Sequence, residues 1–69
     1  MHTIKLREEY IKLGQALKLA GMVESGVDAK VEIQEGNVYV NGEVELHRGR
    51  KIYAGDIIGF DGQQIKVEN

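Results

Sequence analysis

Cysteine and proline are both missing from this chain of 69 residues. Without cysteine, neither a disulfide nor a thiolate metal site can hold the fold together, and a reducing compartment fits this composition. Without proline, glycine is the only strong breaker of regular structure, and nine glycines divide the chain. No stretch approaches the roughly 18 consecutive apolar residues of a membrane-spanning helix. We therefore expect a domain that stays out of the membrane and folds without cross-links.

The first ten residues, MHTIKLREEY, are charged and contain no apolar core of signal-peptide length. We therefore expect a cytoplasmic protein. The length predicts one domain, residues 1–69, with a small core, because a domain of about 60 residues buries only about 60% of its unfolded surface. The hydrophobic content of 42% is ordinary for a globular domain.

Positive charge is concentrated in one short segment. Nine basic and eleven acidic residues give a formal net charge of −2. Three of the nine lie in His47-Arg48-Gly49-Arg50-Lys51, which we call the basic segment; without them, six basic residues and eleven acidic ones give −5. An acidic protein with one locally basic segment predicts a single directed anion-binding face.

Two short helices are predicted in the first half of the chain. Apolar residues at i, i+3, i+4 and i+7 predict an amphipathic helix near 13–20, with Gly21 where a helix-ending glycine belongs. Ser25, with Asp28 three residues later, resembles a capping box and starts a second helix that ends at Gly36. Only a few residues join the two helices, so they must pack against each other.

The hydrophobic period changes to two after the helices. Val38 and Val40 point to one side and Tyr39 to the other. Asn41-Gly42 suits a type I′ hairpin turn, and we expect the return strand to continue through residues 44–46, with Val44 and Leu46 as its apolar positions.

A second hairpin is predicted by the same pattern, with strands at 57–60 and 65–67 around Asp61-Gly62. A short strand at residues 2–6 is expected to pair with the sheet against residues 65–67. The predicted fold class is α+β: two packed helices followed by a small, strongly bent antiparallel or mixed sheet. We expect the domain to close around Leu17, Ile33 and Val40.

An ordered series of motifs resembles the S-four RNA-binding domain over about residues 12–60. The series comprises Leu13, Leu17, Gly21, Ser25, Ala29, Ile33, Gly36, the run Val38-Tyr39-Val40-Asn41-Gly42 and Gly55-Asp56. The run from Leu13-Gly14-Gln15 to Leu19, together with residues 48–51, is similar to a narrower group, the stand-alone bacterial proteins of the YaaA/YbcJ-like type. The resemblance implies an alpha-L motif, in which a helix-turn-helix and a hairpin present RNA-binding residues along one face.

The chain departs from that family's pattern at two places. The family commonly has Arg-Leu-Asp where this chain has Lys12-Leu13-Gly14, so the cation is kept and the carboxylate is lost. It commonly has Ser-Arg where this chain has Ser25-Gly26, which removes one expected phosphate contact. The basic segment is the candidate replacement for that contact.

The resemblance and the charge pattern together give the candidate RNA-binding residues. They are Lys12, Ser25, Lys30, Asn41, His47, Arg48, Arg50 and Lys51, with Lys18 and Tyr39 as secondary candidates. Guanidinium forks suit phosphate oxygens, an exposed tyrosine can stack on an unpaired base, and a helix N-terminus favours anions.

Each candidate also has a purely structural interpretation. The basic segment could be a solvated loop, and the lysines could be ordinary surface residues. Ser25 could serve only as a helix cap, Asn41 only as a residue that tolerates a left-handed turn, and Tyr39 only in packing across the sheet. The sequence leaves these alternatives open.

No catalytic or metal-binding pattern appears in the sequence. There is no nucleophile motif, phosphate-cradling glycine loop or nucleotide fingerprint, and two histidines without cysteine do not make a metal site. We expect a non-catalytic protein with no cofactor and no small-molecule substrate, which binds structured RNA, either ribosomal RNA or its precursor, with ribosomal proteins as further partners. The competing interpretation is a protein-interaction or assembly module with little RNA affinity, which the missing cation at Gly26 favours.

Overall fold

The computed structural model describes residues 2–69, which form two helices and seven strands. In chain order these are β1 (His2–Lys5), β2 (Ile11–Lys12), α1 (Leu13–Leu19), α2 (Gly26–Gln34), β3 (Val38–Val40), β4 (Glu43–Val44), β5 (Lys51–Ile52), β6 (Ile57–Phe60) and β7 (Gln63–Glu68). None of these helices is long and apolar enough to cross a membrane.

Both helices begin and end where the sequence predicts. The Ser25 hydroxyl accepts a hydrogen bond from the Asp28 amide at 3.2 Å, which caps α2. Gly21 and Gly36 follow α1 and α2 with φ angles of 75° and 81°, the left-handed conformation that closes a helix end at little cost for glycine. The predicted helices near 13–20 and 25–35 are therefore confirmed.

The main sheet has five strands in the order β1-β7-β6-β3-β4. Strand β1 runs parallel to β7, with His2 opposite Ile65 and Ile4 opposite Val67. The other pairs are antiparallel, so the sheet is mixed. The predicted pairing of the first strand with residues 65–67 is confirmed.

Both predicted hairpin turns have the expected geometry. The φ angles are 53° and 86° at Asn41 and Gly42, and 51° and 74° at Asp61 and Gly62. Positive φ at both central residues defines a type I′ turn, whose twist matches that of the strands it joins.

The prediction that the return strand continues through Leu46 is wrong. Strand β4 ends at Val44, and the Glu45 carboxylate then accepts hydrogen bonds from the backbone amides of Leu46 and His47 at 3.1 and 3.2 Å. These local bonds replace the ladder that a longer strand would need, so the chain turns away from the sheet.

A separate two-stranded ribbon joins distant parts of the chain. Strands β2 and β5 pair antiparallel, with Ile11 opposite Ile52 and Lys12 opposite Lys51. Strands of two residues are too short to show an alternation in sequence, so no pattern predicted this ribbon.

The helices, the main sheet and the ribbon share one buried core, in which α1 contacts α2 and both strands of the ribbon. The fully buried side chains are drawn from all of these elements: Leu13, Leu17, Ile33, Val38, Val40, Ile52, Ile58, Ile65 and Val67. The core includes all three residues around which closure was expected. The α+β class is confirmed.

The first hairpin turn generates a prediction about stability. Gly42→Ala should lower the free energy of unfolding by about 1–2 kcal/mol, because a Cβ disfavours the left-handed conformation. Gly49→Ala is the matched control, since Gly49 does not have positive φ and a Cβ there would meet no atom within 4 Å. Urea unfolding of both variants measures the difference. If the two variants were equally stable, the left-handed conformation at position 42 would not be what disfavours a side chain there.

Candidate nucleic-acid interface

The basic segment is a β-turn organised around one carboxylate. The Arg50 amide donates to the His47 carbonyl at 3.2 Å, which places Arg48 and Gly49 at the tip of the turn. One Glu45 carboxylate oxygen accepts from Arg50 Nη1 at 2.7 Å, and the other lies 2.9 Å from His47 Nδ1. Glu45 therefore fixes the turn, and it partly neutralises Arg50 while the Arg48 side chain stays exposed.

Backbone hydrogen bonds hold this turn against the start of α1. The Leu13 amide donates to the Arg50 carbonyl at 2.9 Å, and the Gly14 amide donates to the Arg48 carbonyl at 3.0 Å. Amides in the first turn of a helix have no partner within the helix, so the basic segment satisfies two of them. The position of the basic segment therefore depends on α1 as well as on the hairpin.

Helix α2 also lies close to the start of α1, where the basic segment docks. A Cβ at Gly14 would lie 3.6 Å from the Arg48 Cβ and 3.8 Å from the Ala29 Cβ. Gly26 is one helical turn before Ala29 and so lies on the same side of α2. Gly26 therefore lies on the side of α2 that meets the start of α1, where the basic segment docks.

Lysines from the two halves of the chain meet on the ribbon. Lys12 and Lys51 are directly opposite each other in the β2–β5 pair, and both are exposed. Like charges in this arrangement destabilise a sheet. A bound anion would remove that repulsion.

A shallow groove beside the ribbon adds further cations. Lys12 and Lys18 line it together with Lys5 and Arg7, which were not among the predicted RNA-binding residues. Lys5 and Arg7 are separated by one residue and can share one side of an extended segment, and this alternation was the available signal. Glu8 is the acidic residue of the groove.

The groove and the basic segment form one connected surface, which we call the cationic strip. Its members are Lys5, Arg7, Lys12, Lys18, Arg48, Arg50 and Lys51: four from the groove and three from the basic segment, or seven of the nine basic residues. The connection runs through Tyr10, which lines the groove and lies with its ring centroid 4.8 Å from the Lys51 amine.

The remaining candidates lie off the cationic strip or have structural partners. The Asn41 amide group donates to Asp56 Oδ1 at 3.0 Å, and its oxygen accepts from the Ile57 amide at 2.9 Å. Tyr39 lies on the face of the sheet opposite the buried valines and is 43% exposed. Lys30 is exposed on α2. For all of these, as for the cap residue Ser25, an RNA contact stays a prediction.

His47 and Asp56 differ in whether their polar atoms are available to a ligand. The His47 side chain is 85% exposed, so its free ring nitrogen is available to a ligand. Asp56 already has hydrogen-bond partners: its carboxylate accepts from the Tyr53 amide at 2.8 Å as well as from Asn41.

Within residues 2–69, no group of three or more histidine, aspartate or glutamate side chains could hold a metal ion.

The bonds to Glu45 generate a prediction about acid stability. The Arg50 hydrogen bond, followed by the His47 hydrogen bond, lowers the pKa of Glu45 from 4.5 to about 2. A carboxyl with a lowered folded-state pKa contributes stability above its unfolded pKa, and that contribution disappears as the pH falls from about 4.5 to about 2. Glu45→Gln should therefore lower the free energy of unfolding by about 1 kcal/mol at pH 7 and by little at pH 2. The effect at pH 7 is modest because Arg50 is partly exposed and water screens the ion pair.

Glu43→Gln is the control for this change, because Glu43 is exposed and lies two residues earlier on β4. Urea unfolding at pH 7 and at pH 2 gives the comparison. A Glu45→Gln penalty that did not depend on pH would show that the lost contacts are not ionic.

Comparisons with known proteins agree with this geometry. Residues 4–68 match the S4 domain family. The chain is 46% identical over 59 residues to RlbA of Bacillus subtilis (strain 168), named as a probable ribosome maturation protein, and the match covers 86% of this chain and 83% of RlbA. It is 41% identical over 61 residues to YbcJ of Escherichia coli (strain K12), named as a candidate RNA-binding protein, with 88% and 87% of the two chains covered.

A solved structure is similar as well. The solution structure of YbcJ from Escherichia coli superposes with a TM-score of 0.76 at 40% identity and covers 100% of this chain and 89% of that one. That structure is described as revealing an αL motif involved in RNA binding. The matched region includes both helices, both hairpins and the basic segment. The chain therefore belongs to the S4 domain family, as its helix glycines, its Asn-Gly turn and its basic segment predicted.

Proposed function

We propose that this protein is a non-catalytic RNA-binding domain, residues 1–69, that acts in the cytoplasm on structured ribosomal RNA or its precursor. The single observation that carries the proposal is the cationic strip. Seven of nine basic side chains form one connected surface on a protein whose net charge is −2. A surface of this kind concentrates the attraction for phosphates on one side of an otherwise acidic protein.

The competing interpretation is a protein-interaction module, and the acidic side chains near the cationic strip are relevant to it. A cationic surface can also bind an acidic protein, because complementary charge is common at protein–protein interfaces. Here Glu8 is the acidic residue of the groove, and Glu45 is held by Arg50 and His47. The αL motif of the similar solution structure, described as involved in RNA binding, supports RNA binding over an assembly role with little RNA affinity.

The strip suits recognition of shape more than of sequence. Exposed lysines and arginines meet phosphate oxygens, which fix the position of a protein on RNA without reading bases. Arg48 at the tip of the turn can use its whole guanidinium fork, whereas Arg50 already gives one nitrogen to Glu45. The name of RlbA supports a ribosomal RNA as the ligand and ribosomal proteins as neighbours.

Removing charge from the basic segment tests the proposal. The double change Arg48→Ala and Arg50→Ala should weaken binding to ribosomal RNA fragments while the fold survives. Each lost phosphate contact lowers the slope of log affinity against log salt by roughly 0.7–0.9, so the double variant should lose roughly 1.4–1.8 units. A salt titration measures the slope, and circular dichroism checks the fold.

A matched pair of lysines separates a local contact from an effect of net charge. Lys12→Ala removes a cation of the strip, whereas Lys66→Ala removes an exposed cation of β7, outside the strip. Only Lys12→Ala should lower the salt slope. Equal effects would mean that net charge alone attracts RNA. Absence of RNA binding by the parent at every salt concentration would leave the interaction module as the function.

The family position that lacks its arginine offers a gain-of-function test. Gly26→Arg should raise the affinity and steepen the salt slope by roughly 0.7–0.9, because it adds one cation on the side of α2 that meets the start of α1, where the basic segment docks. A Cβ at Gly26 meets no atom within 4 Å, so the helix accommodates the change. Val27→Arg adds the same charge at the next residue, which is 70% exposed, and points elsewhere around the helix.

The comparison of these two variants is decisive because their net charges are identical. Binding of structured RNA in the same salt series should improve clearly for Gly26→Arg and less for Val27→Arg. If Val27→Arg improves binding as much, the RNA does not lie along the predicted side of α2.

A further inference from the structure

The ribbon brings two tyrosines together on its outer face. The register of β2 and β5 pairs Ile11 with Ile52 and Lys12 with Lys51, and Tyr10 and Tyr53 directly flank these strands at the same end. The two rings lie 5.9 Å apart between centroids, at an interplanar angle of 50°. This is a tilted cross-strand aromatic pair, an arrangement that aromatic rings favour.

The pair faces outward with the two lysines. Ile52 is fully buried and Ile11 packs against the core, so the alternation of a strand places their neighbours on the opposite face. Tyr53 is 43% exposed, and Tyr10 is half-buried under the Lys51 amine, 4.8 Å from its ring centroid. The outer face of the ribbon therefore carries two aromatic rings and two ammonium groups.

The backbone beneath Tyr53 is held firmly. The Asp56 carboxylate accepts from the Tyr53 amide at 2.8 Å, and the Asp56 amide donates to the Tyr53 carbonyl at 3.0 Å. Asp56 is bonded in turn to the Asn41 side chain in the first hairpin turn. A rigid backbone leaves the exposed ring little freedom to lose when it binds a ligand.

Two features of this face remain unexplained by the fold alone. The repulsion between Lys12 and Lys51 opposes pairing of the strands and has no acidic partner among the polar contacts of the described residues. The Tyr53 side chain next to that pair is 43% exposed. A ligand with an aromatic face and an adjacent negative charge would satisfy both.

We propose that Tyr10, Tyr53, Lys12 and Lys51 form a subsite that stacks an unpaired nucleotide of the bound RNA. The base lies against the tyrosine pair, and the phosphates on either side of it meet the two lysines. A nucleotide inside a duplex offers phosphates but hides its base faces, so the subsite selects a single-stranded end or a bulge. This inference rests on the proposed function and adds the unpaired segment as the feature recognised.

The neighbouring groove gives that segment a path. Tyr10 is one wall of the groove that Lys5, Arg7 and Lys18 also line. A strand that leaves a duplex on the basic segment would stack on the ribbon and continue over these cations. Interleaved aromatic and basic side chains are the usual design of surfaces for single-stranded nucleic acid.

The test compares two RNA hairpins that differ only in a three-nucleotide unpaired end. The parent should bind the hairpin with the overhang roughly tenfold more tightly than the blunt hairpin at the same salt concentration. Tyr53→Leu and Tyr10→Leu should lose this advantage and keep the blunt-hairpin affinity. Tyr53→Phe should retain it, because stacking needs the ring and not the hydroxyl. Tyr39→Leu, on the outer face of the main sheet, tests the competing stacking position and should keep the advantage.

The outcomes separate the two proposals. If the parent binds neither hairpin, the proposed function fails. If it binds both equally, or if Tyr39→Leu removes the advantage as completely as Tyr53→Leu does, RNA binding stands and the stacking subsite is wrong. Thermal unfolding of each variant identifies any loss that comes from misfolding.

Tyrosine fluorescence provides a direct measurement on a nearly unchanged protein. The chain has three tyrosines and no tryptophan, so Tyr39→Phe leaves only Tyr10 and Tyr53 to emit. A short unpaired adenine oligonucleotide should quench this emission, whereas a blunt duplex at the same phosphate concentration should not. Unchanged emission when the oligonucleotide is bound would overturn the subsite.

Discussion

The docking of the basic segment on α1 is the constraint on which the candidate site depends. Two hydrogen bonds, from the Leu13 and Gly14 amides to the Arg50 and Arg48 carbonyls, join residues far apart in the chain. The ribbon extends this junction by one pair of strands. Without it, the cations of the groove and those of the basic segment would belong to separate surfaces. The site is therefore a product of tertiary structure, although each part of it is local.

Concentrating positive charge on one face has a cost for a domain with so small a core. Lys12 faces Lys51 across the ribbon, and the turn tip carries Arg48 next to Arg50. Glu45 offsets part of the repulsion by binding Arg50 and by accepting two backbone amides. Its side chain is only 14% exposed, so it stabilises the turn from within while the outer surface stays cationic.

The sequence predicted the parts of the fold that rest on local chemistry. Gly21 and Gly36 marked the helix ends, and Asn41-Gly42 marked the first hairpin, because only a few residue types adopt the required left-handed backbone. The expected pairing of β1 with β7 is also present, and it places Ile4 opposite Val67 in the core.

The ribbon and the groove could not be predicted in the same way. Their formation depends on the contact of α1 with the basic segment, which no local pattern encodes. Lys5, Arg7 and Tyr10 therefore looked like ordinary residues of a charged N-terminal segment. Conversely, Asn41 was a candidate for RNA contact because of the family resemblance, and only the structure shows that Asp56 and Ile57 already occupy its side chain.

The bridge between Asn41 and Asp56 has a consequence for how this sequence can diverge. Asparagine and aspartate both tolerate the left-handed turn, so backbone preference alone would allow either at position 41. An aspartate there would place its carboxylate against that of Asp56, in a contact that now measures 3.0 Å from nitrogen to oxygen. The two positions are therefore expected to change together over evolutionary time, in combinations that keep one donor and one acceptor.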